Sequence, residues 1–153
     1  MSEMHPQEII HRPEALSTLN AEDLTSLTDI WLSAFPNTDL SRIADNVLEI
    51  IGSNHSDVLV DRKLGHIASV AIVSVYYGRD NRLGRIEDVA THPDLMGQGF
   101  AGAIIDHAII WFKNRGVSRI ALTSSNEKKA AHLLYLNRGF KIHDTNEFYL
   151  DLT

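Results

Sequence analysis

Apolar residues recur at helical spacing in two stretches of the first third of the chain. The first helix is expected to begin after Asn20, a residue type favoured at helix N-caps, and to end before Pro36. Its apolar positions are Leu24, Leu27, Trp31 and Phe35. A second helix is expected from about Asp39 to Ile51, and Gly52 closes it. Each helix therefore has an apolar face to bury.

The middle of the chain changes to the composition of β-strands, rich in β-branched and aromatic residues. Strands are predicted over Asp57–Asp61, His66–Tyr77 and Arg85–Thr91, after a first short strand at Ile9–Arg12. The segments between the three middle strands are predicted to be a turn and a loop.

The last third returns to helical spacing and then to strands. Helices are predicted from Gly97 to about Asn114 and over Glu127–Asn137, with a strand at Arg119–Thr123 between them. Two closing strands are predicted at Phe140–His143 and Glu147–Leu152. The order β-α-α-β-β-β-α-β-α-β-β indicates an α/β protein with a mixed sheet, and the length fits a single domain over residues 1–153.

Composition and charge exclude several classes of function. The 153 residues include 14 Lys and Arg against 20 Asp and Glu, a net charge of −6, whereas a nucleic-acid binder needs a basic surface. Without cysteine there is no disulfide, thiolate metal site or cysteine nucleophile, and the eight histidines lack metal-binding spacing. No apolar run is long enough to cross a membrane, and Met1–Gln7 does not resemble a signal peptide. We expect a cytoplasmic protein that binds no metal, nucleic acid or membrane.

A glycine-rich turn joins a strand to a helix and carries the strongest chemical signal. The strand Ile86–Ala90 leads to Gly97, Gly99 and Gly102. Such a turn presents backbone N–H groups at the positive end of a helix dipole, which suits a pyrophosphate, although an ordinary strand-to-helix turn has the same appearance.

The spacing G-x-G-x-x-G in this turn does not indicate a dinucleotide fold. The preceding strand contains Glu87 and Asp88, where a central parallel strand is almost wholly apolar. The ribose-binding acid expected about 20 residues further on is missing from Leu122–Ser125. Too few residues follow Gly102 to complete a doubly wound sheet.

Two motifs stand in the order and at the separation found in one enzyme family. Met96–Ala101, MGQGFA, is similar to an [Arg/Gln]-x-x-Gly-x-[Gly/Ala] loop, and Ala131–Phe140, AHLLYLNRGF, is similar to an A-H-x-[F/L]-Y-x-x-x-G-F ending. Ile86–Ala90 and His92–Pro93 are similar to the strand before that loop and its exit. Together they resemble the GNAT superfamily of acetyltransferases. The resemblance implies the GNAT acyl-CoA N-acyltransferase fold, a mixed sheet of six to seven strands flanked by about four helices.

The resemblance also implies acetyl-CoA as co-substrate. In the family the loop amides bind the pyrophosphate, and the preceding strand pairs with the pantetheine arm and faces the developing oxyanion. The cofactor-binding residues implied here are Val89, Ala90, Thr91, Gly97, Gln98, Gly99, Phe100, Ala101 and Gly102. Met96 departs from the Arg or Gln of the motif, so charge for the phosphates would come from elsewhere, with candidates Lys128, Lys129, Arg138 and Lys141.

Two residues take catalytic positions by this resemblance. Tyr135 stands at the position of the general acid, and a phenol is protonated at neutral pH; the alternative is a tyrosine that packs on the core. Glu87 stands where members place a general base; the alternatives are a solvated carboxylate or one that only attracts a cationic substrate. Strand alternation predicts that Asp88 faces away from Glu87. The aromatic residues on the acceptor side, which would line a pocket or pack in the core, are Trp31, Phe35, Tyr76 and Tyr77.

The expected function is transfer of an acetyl group from acetyl-CoA to a primary amine of a small molecule or peptide, by direct attack in a ternary complex. One alternative is a non-catalytic acyl-CoA sensor on the same fold, which the departure at Met96 keeps open. Another is an amino-sugar-phosphate acetyltransferase. Family members are often dimers, so a homodimer is compatible with the resemblance.

Overall fold

The computed structural model describes residues 8–153, so Met1–Gln7 lie outside it. The strands are β1 (Glu14–Ala15), β2 (Ser56–Lys63), β3 (His66–Tyr77), β4 (Arg82–Thr91) and β5 (Arg119–Ala121). The α-helices are α1 (Ala21–Ala34), α2 (Ile43–Ile51), α3 (Phe100–Lys113) and α4 (Lys129–Asn137), and short 3-10 helices cover Leu40–Arg42 and Pro93–Leu95. The chain divides into two compact units: the first ends at Thr123 and the second begins at Ser124 and includes α4. The single domain over 1–153 stays a prediction.

The first unit contains one mixed sheet, whose strands lie in the order β1-β2-β3-β4-β5. Neighbours are antiparallel from β1 to β4, and β4 and β5 are parallel. At the β2–β3 turn, Leu64 has φ 50° and Gly65 has φ 82°, the left-handed pair that suits a two-residue hairpin. This turn places Lys63 opposite His66 and so fixes the register of the two strands. The α/β fold class predicted from the sequence is confirmed.

Helices α1 and α2 cover one face of the sheet, and α3 packs on the other. Alternate strand residues share a core cluster with the first two helices, including Leu27, Ile30, Val47, Val58, Val60 and Val70. The intervening strand residues Leu59, Ala71 and Val73 are also buried, and α3 contacts these strands. Every central strand is thus buried on both faces.

Local signals predicted the helix starts correctly. The Asn20 side chain accepts a hydrogen bond from the Asp23 amide at 2.8 Å and caps α1 as expected. Asp39 caps the second helical segment, but its first turn is a 3-10 helix and α2 proper begins at Ile43. The described helices include none with the length and apolar composition that a membrane crossing requires.

The predicted first strand at Ile9–Arg12 is wrong. This segment lies beside β2, but its polar groups bond to a side chain instead of to the strand backbone: the Arg12 amide donates to Asp61 Oδ1 at 3.2 Å. The β2–β3 register also shifts between Asp61 and Arg62. Regular pairing with β2 therefore starts only at Glu14.

The predicted closing strands Phe140–His143 and Glu147–Leu152 are also wrong, because residues 140–153 have no regular secondary structure. A strand needs a neighbour for its backbone hydrogen bonds, and alternating apolar residues alone do not supply one. Ile142, Phe148 and Leu150 are accordingly 82–90% exposed. The described sheet has five strands instead of six to seven.

Gly84 on β4 provides a test of the packing between the sheet and α3. A Cβ atom at this position would lie 2.5 Å from Cε1 of the buried Phe112 ring. We expect Gly84→Ala to lower the free energy of unfolding by about 1–3 kcal/mol, the usual cost of overpacking. The matched control is Gly52→Ala, whose added Cβ would have its nearest neighbour at an ordinary 3.5 Å and should change stability by less than about 0.5 kcal/mol. Equal unfolding midpoints in denaturant for both variants would contradict this account.

Candidate active site

The two parallel strands at the end of the sheet are paired over a short stretch. β5 pairs with Leu83–Arg85, and within residues 8–153 no partner is recorded on that edge of β4 beyond Arg85. The residues that follow, from Ile86 to Thr91, include Val89, Ala90 and Thr91, the predicted cofactor-binding residues of the strand. An extended ligand arm could pair with backbone groups at such an edge.

A β-bulge interrupts β4 at the same place. Val70 pairs with Ala90 and Ile72 pairs with Glu87, so Asp88 and Val89 together stand opposite the one residue between them on β3. Asp88 has φ 52°, a left-handed conformation that Asp tolerates better than most residues. The indole N–H of Trp31 on α1 donates to the Asp88 carbonyl at 2.9 Å. The helix therefore holds the bulge in place.

The bulge interrupts the regular alternation from which the opposite facing of Glu87 and Asp88 was predicted, so that facing stays a prediction. Residues directly opposite each other share a face of the sheet, so Glu87 shares that of Ile72. Asp88 lines a cavity that Ile72 also lines. Asp88 and Ile72, the residue opposite Glu87, therefore border the same cavity. The sequence carried one indication, since Asp is unfavourable within a strand but acceptable in a left-handed bulge.

This cavity, of about 280 Å³, lies between α1, α2 and the centre of the sheet. Its lining is mixed apolar and polar, formed by Trp31, Phe35, Thr38, Asp39, Arg42, Ile43, Asn46, Val47, Ile50, Ile72 and Asp88. Trp31 is also buried in the core, so both interpretations of this aromatic residue hold. Tyr76 and Tyr77 do not line the cavity and are 45% and 62% exposed.

The charges around the bulge favour a cation in this cavity. Burial raises the pKa of the Asp88 carboxyl above its usual value, and the nearby negative charge of Glu87 raises it further. Glu87 itself accepts a hydrogen bond from the Arg85 guanidinium on the same strand. Arg42 is the basic residue among those that line the cavity. Its Nε atom lies 3.9 Å from Oδ2 of Asp39, and its side chain is largely exposed. Of Asp39 and Asp88, the two acidic residues that line the cavity, Asp88 is the one whose pKa is raised.

The glycine-rich loop opens α3 as the sequence predicted. Gly97 has φ 78° and Gly99 φ 86°, both in the left-handed region that favours glycine. Gly99 is the N-cap of α3 and no side chain caps this end. The first amides of the helix, from Phe100 to Gly102, are therefore available to an anion or to water.

The side chains of the loop differ in their surroundings. Phe100 is 1% exposed and Gly102 is buried, so any role of theirs in binding is limited to the backbone. The Gln98 side chain accepts a hydrogen bond from Lys63 Nζ at 3.2 Å, and its carbonyl oxygen lies 3.1 Å from Nε2 of His11. Lys63 brings a positive charge to the loop that the sequence did not reveal. Met96 is 69% exposed.

Tyr135 lies on α4 in the second unit, and its ring meets Phe140 edge to face at 5.9 Å. Burial raises the pKa of its phenol, so the group carries its proton at neutral pH. On the same helix, His132 Nε2 lies 2.9 Å from the Ser125 carbonyl. Within residues 8–153 no three His, Asp or Glu side chains are grouped as metal ligands.

A comparison with models of known protein families finds a match. The model of the acetyltransferase (GNAT) family matches residues 24–140. No curated protein matches the chain significantly.

Several solved structures share the fold. An aminoglycoside acetyltransferase from an uncultured soil metagenomic sample, in complex with sisomicin, has a TM-score of 0.77 at 17% identity, covering 94% of this chain and 97% of that one. AAC(6')-Iy in complex with the bisubstrate analogue CoA-S-monomethyl-acetylneamine has a TM-score of 0.76 at 18% identity, covering 95% and 100%. The glucosamine-6-phosphate N-acetyltransferase of Arabidopsis thaliana has a TM-score of 0.69 at 14% identity, covering 94% and 100%.

At such low identity these structures establish the fold alone, whereas the family model extends over most of the chain and includes both motifs. The chain therefore belongs to the GNAT family of acetyltransferases.

Proposed function

We propose that this protein is an N-acetyltransferase that moves the acetyl group of acetyl-CoA to the primary amine of a small molecule. One observation carries the proposal: the bulged part of β4, for which residues 8–153 show no recorded partner on the β5 edge, precedes the glycine loop that opens α3, and its residue Asp88 lines a cavity. A thioester arm along the edge of β4 and an amine in the cavity would then meet at the bulge.

The loop fits the phosphates of coenzyme A. Uncapped amides at the start of a 14-residue helix and the ammonium of Lys63 form a positive end for a pyrophosphate. The co-substrate supplies an activated acetyl group. The protein's part is to hold that group beside β4, where a backbone N–H near Val89 or Ala90 would stabilise the oxyanion as the amine attacks.

We propose that Asp88 receives the amine. An ammonium that enters the cavity would meet this carboxylate, which attracts the cation and accepts its proton, directly or through water, so that the neutral nitrogen can attack. Its raised pKa makes Asp88 a better proton acceptor than an ordinary aspartate. The sequence motif assigns the same role to Glu87, whose carboxylate hydrogen-bonds to Arg85. We propose that Glu87 acts mainly by raising the pKa of Asp88.

Tyr135 is proposed to protonate the departing thiolate. This role rests on the family motif and on a phenol that keeps its proton at neutral pH. The balance of the reaction is then complete: the C–N bond forms and the C–S bond breaks. The ammonium loses two protons, one to Asp88 before the attack and one from the nitrogen after the C–N bond has formed, while the thiolate gains one from Tyr135, which recovers a proton from water.

The cavity favours a small cationic acceptor over a phosphorylated one. A volume of about 280 Å³ holds a small molecule or the end of a side chain. A phosphate group would need a free basic residue, but Arg42 lies near Asp39 and Asp88 adds negative charge. These features make an amino-sugar phosphate the weaker alternative.

The central test is titration of the pure protein with acetyl-CoA by calorimetry, followed by a free-thiol assay over a panel of small amines. We expect a dissociation constant in the usual range of about 1 μM to 1 mM and thiol release that depends on the amine. Absence of binding at millimolar ligand would refute the proposal. Binding without thiol release from any amine would identify a sensor instead of an enzyme.

Substitution of Asp88 and of Glu87 distinguishes the proposed roles of these two carboxylates. We expect Asp88→Asn, which keeps a residue that tolerates left-handed backbone, to reduce kcat/KM by roughly 10²–10⁴-fold. Glu87→Gln removes a like charge, so the pKa of Asp88 should fall and the acid limb of the pH–rate profile should move to lower pH with most activity retained.

The control for this pair is Asp80→Asn, an exposed carboxylate of the β3–β4 loop, which should behave as wild type. A larger loss of kcat/KM in Glu87→Gln than in Asp88→Asn would return the role of base to Glu87.

Removal of one hydroxyl tests the proposed acid. We expect Tyr135→Phe to lower kcat by roughly 10²-fold, because thiolate departure loses its proton donor, with little change in Tm since the ring keeps its contact with Phe140. Tyr149→Phe, an 89% exposed tyrosine of the same unit, is the control. Unchanged turnover in Tyr135→Phe would exclude this assignment.

A further inference from the structure

We propose that His11 positions the phosphate-binding loop, and that it does so as an imidazolium, so that affinity for coenzyme A falls when His11 loses one of its protons. The inference rests on the proposed function of the loop. It adds a residue far from the motif, 87 positions before Gln98 in the sequence.

Both ring nitrogens of His11 face acceptors. Nδ1 lies 2.7 Å from Asp61 Oδ2, and Nε2 lies 3.1 Å from the carbonyl oxygen of Gln98. A carbonyl oxygen can only accept a hydrogen bond, and an ionised carboxylate likewise. Two donated hydrogen bonds require a proton on each nitrogen, which is the charged form of histidine.

The surroundings of Asp61 support this charge. Its side chain is 1% exposed, Oδ1 accepts hydrogen bonds from the amides of Arg12 and Arg62, and Oδ2 faces His11. A buried carboxylate needs a charged partner, because removing an unpaired charge from water is costly. His11, with a side chain 24% exposed, is that partner.

Apart from Asp61, the charged side chains on the elements that pack around His11 bond to residues other than His11. From β2, Lys63 points to the Gln98 side chain, and the Arg62 guanidinium bonds to Asp23 and Glu14. From α3, the Phe100 ring meets the imidazole edge to face at 4.6 Å and carries no charge.

The contact with the loop is close enough to control its shape. A Cβ atom on Gly99 would lie 3.1 Å from His11 Nε2, a tight contact, and its φ of 86° favours glycine. With the Gln98 carbonyl held toward His11, the following amides are left to face a ligand. The chain Asp61–His11–Gln98 thus connects a buried charge in β2 to the start of α3.

Loss of one proton from His11 breaks this connection. A neutral ring that keeps its proton toward Asp61 presents a lone pair to the Gln98 carbonyl, and the two acceptors repel. The stabilising contact is therefore present at low pH and lost as the pH rises.

The test is calorimetric titration with free coenzyme A from about pH 6 to about pH 8.5, for wild type, His11→Gln and His66→Gln. We expect the wild-type Kd to rise by roughly tenfold or more over this range, the scale of one charge-assisted hydrogen bond. His11→Gln should bind weakly throughout and show only the change due to ionisation of the ligand. His66→Gln removes an exposed histidine that pairs with Glu22 and should keep the wild-type slope. An unchanged Kd and slope in His11→Gln overturn the inference.

A second measurement does not depend on the variant or on coenzyme A. In ¹⁵N NMR of the wild type, both ring nitrogens of His11 should carry protons at the lower pH, and the amide signals of Gly99 and Phe100 should shift as one proton leaves. A ring that titrates with no response of these amides overturns the inference even if His11→Gln does not fold. Absence of coenzyme A binding in a wild type whose amides do respond removes the proposed function and leaves the His11 contact intact.

Discussion

The two-for-one pairing at Asp88 and Val89 determines which side chains of β4 share a face. In a regular strand Glu87 would share its face with Val89, but the extra residue places it with Ala90, which packs in the core beneath α1 and α2. The bulge requires a left-handed residue, and the indole of Trp31 satisfies the carbonyl that the bulge leaves out of the ladder. The same helix that buries the core therefore also fixes the site.

The opening beside β4 depends on packing as much as on pairing. Phe112 of α3 occupies the space above Gly84, at the end of β4 where β5 is still paired. Beyond Arg85 the recorded pairing stops, and the other end of α3 begins at the glycine loop. A helix anchored at one end by a side chain against the sheet and at the other by the His11 contact holds the loop at a fixed place beside the open edge.

Features set by neighbouring residues could be predicted from the sequence, and features set by distant pairing could not. The Asn20 cap, the strand His66–Tyr77 and the loop at Gly97–Gly102 depend on local backbone preferences, and the structure has them. The bulge depends on the register between two strands, and the contact of His11 joins segments 87 residues apart. The alternating residues near the C-terminus resemble a strand, but among residues 8–153 they lack the partner that would make them one.

Two neighbouring carboxylates in different surroundings can divide the work of one site. Glu87 hydrogen-bonds to the Arg85 guanidinium, which offsets its charge, while Asp88 lies in the cavity wall where burial and that same neighbour raise its pKa. Glu87, the residue that the family motif indicates, is thus the one whose negative charge is offset by a neighbouring cation. A motif identifies the position of a carboxylate along a strand, whereas pairing and packing decide which residue lines the cavity, and this is why we propose Asp88 as the residue that receives a cationic amine.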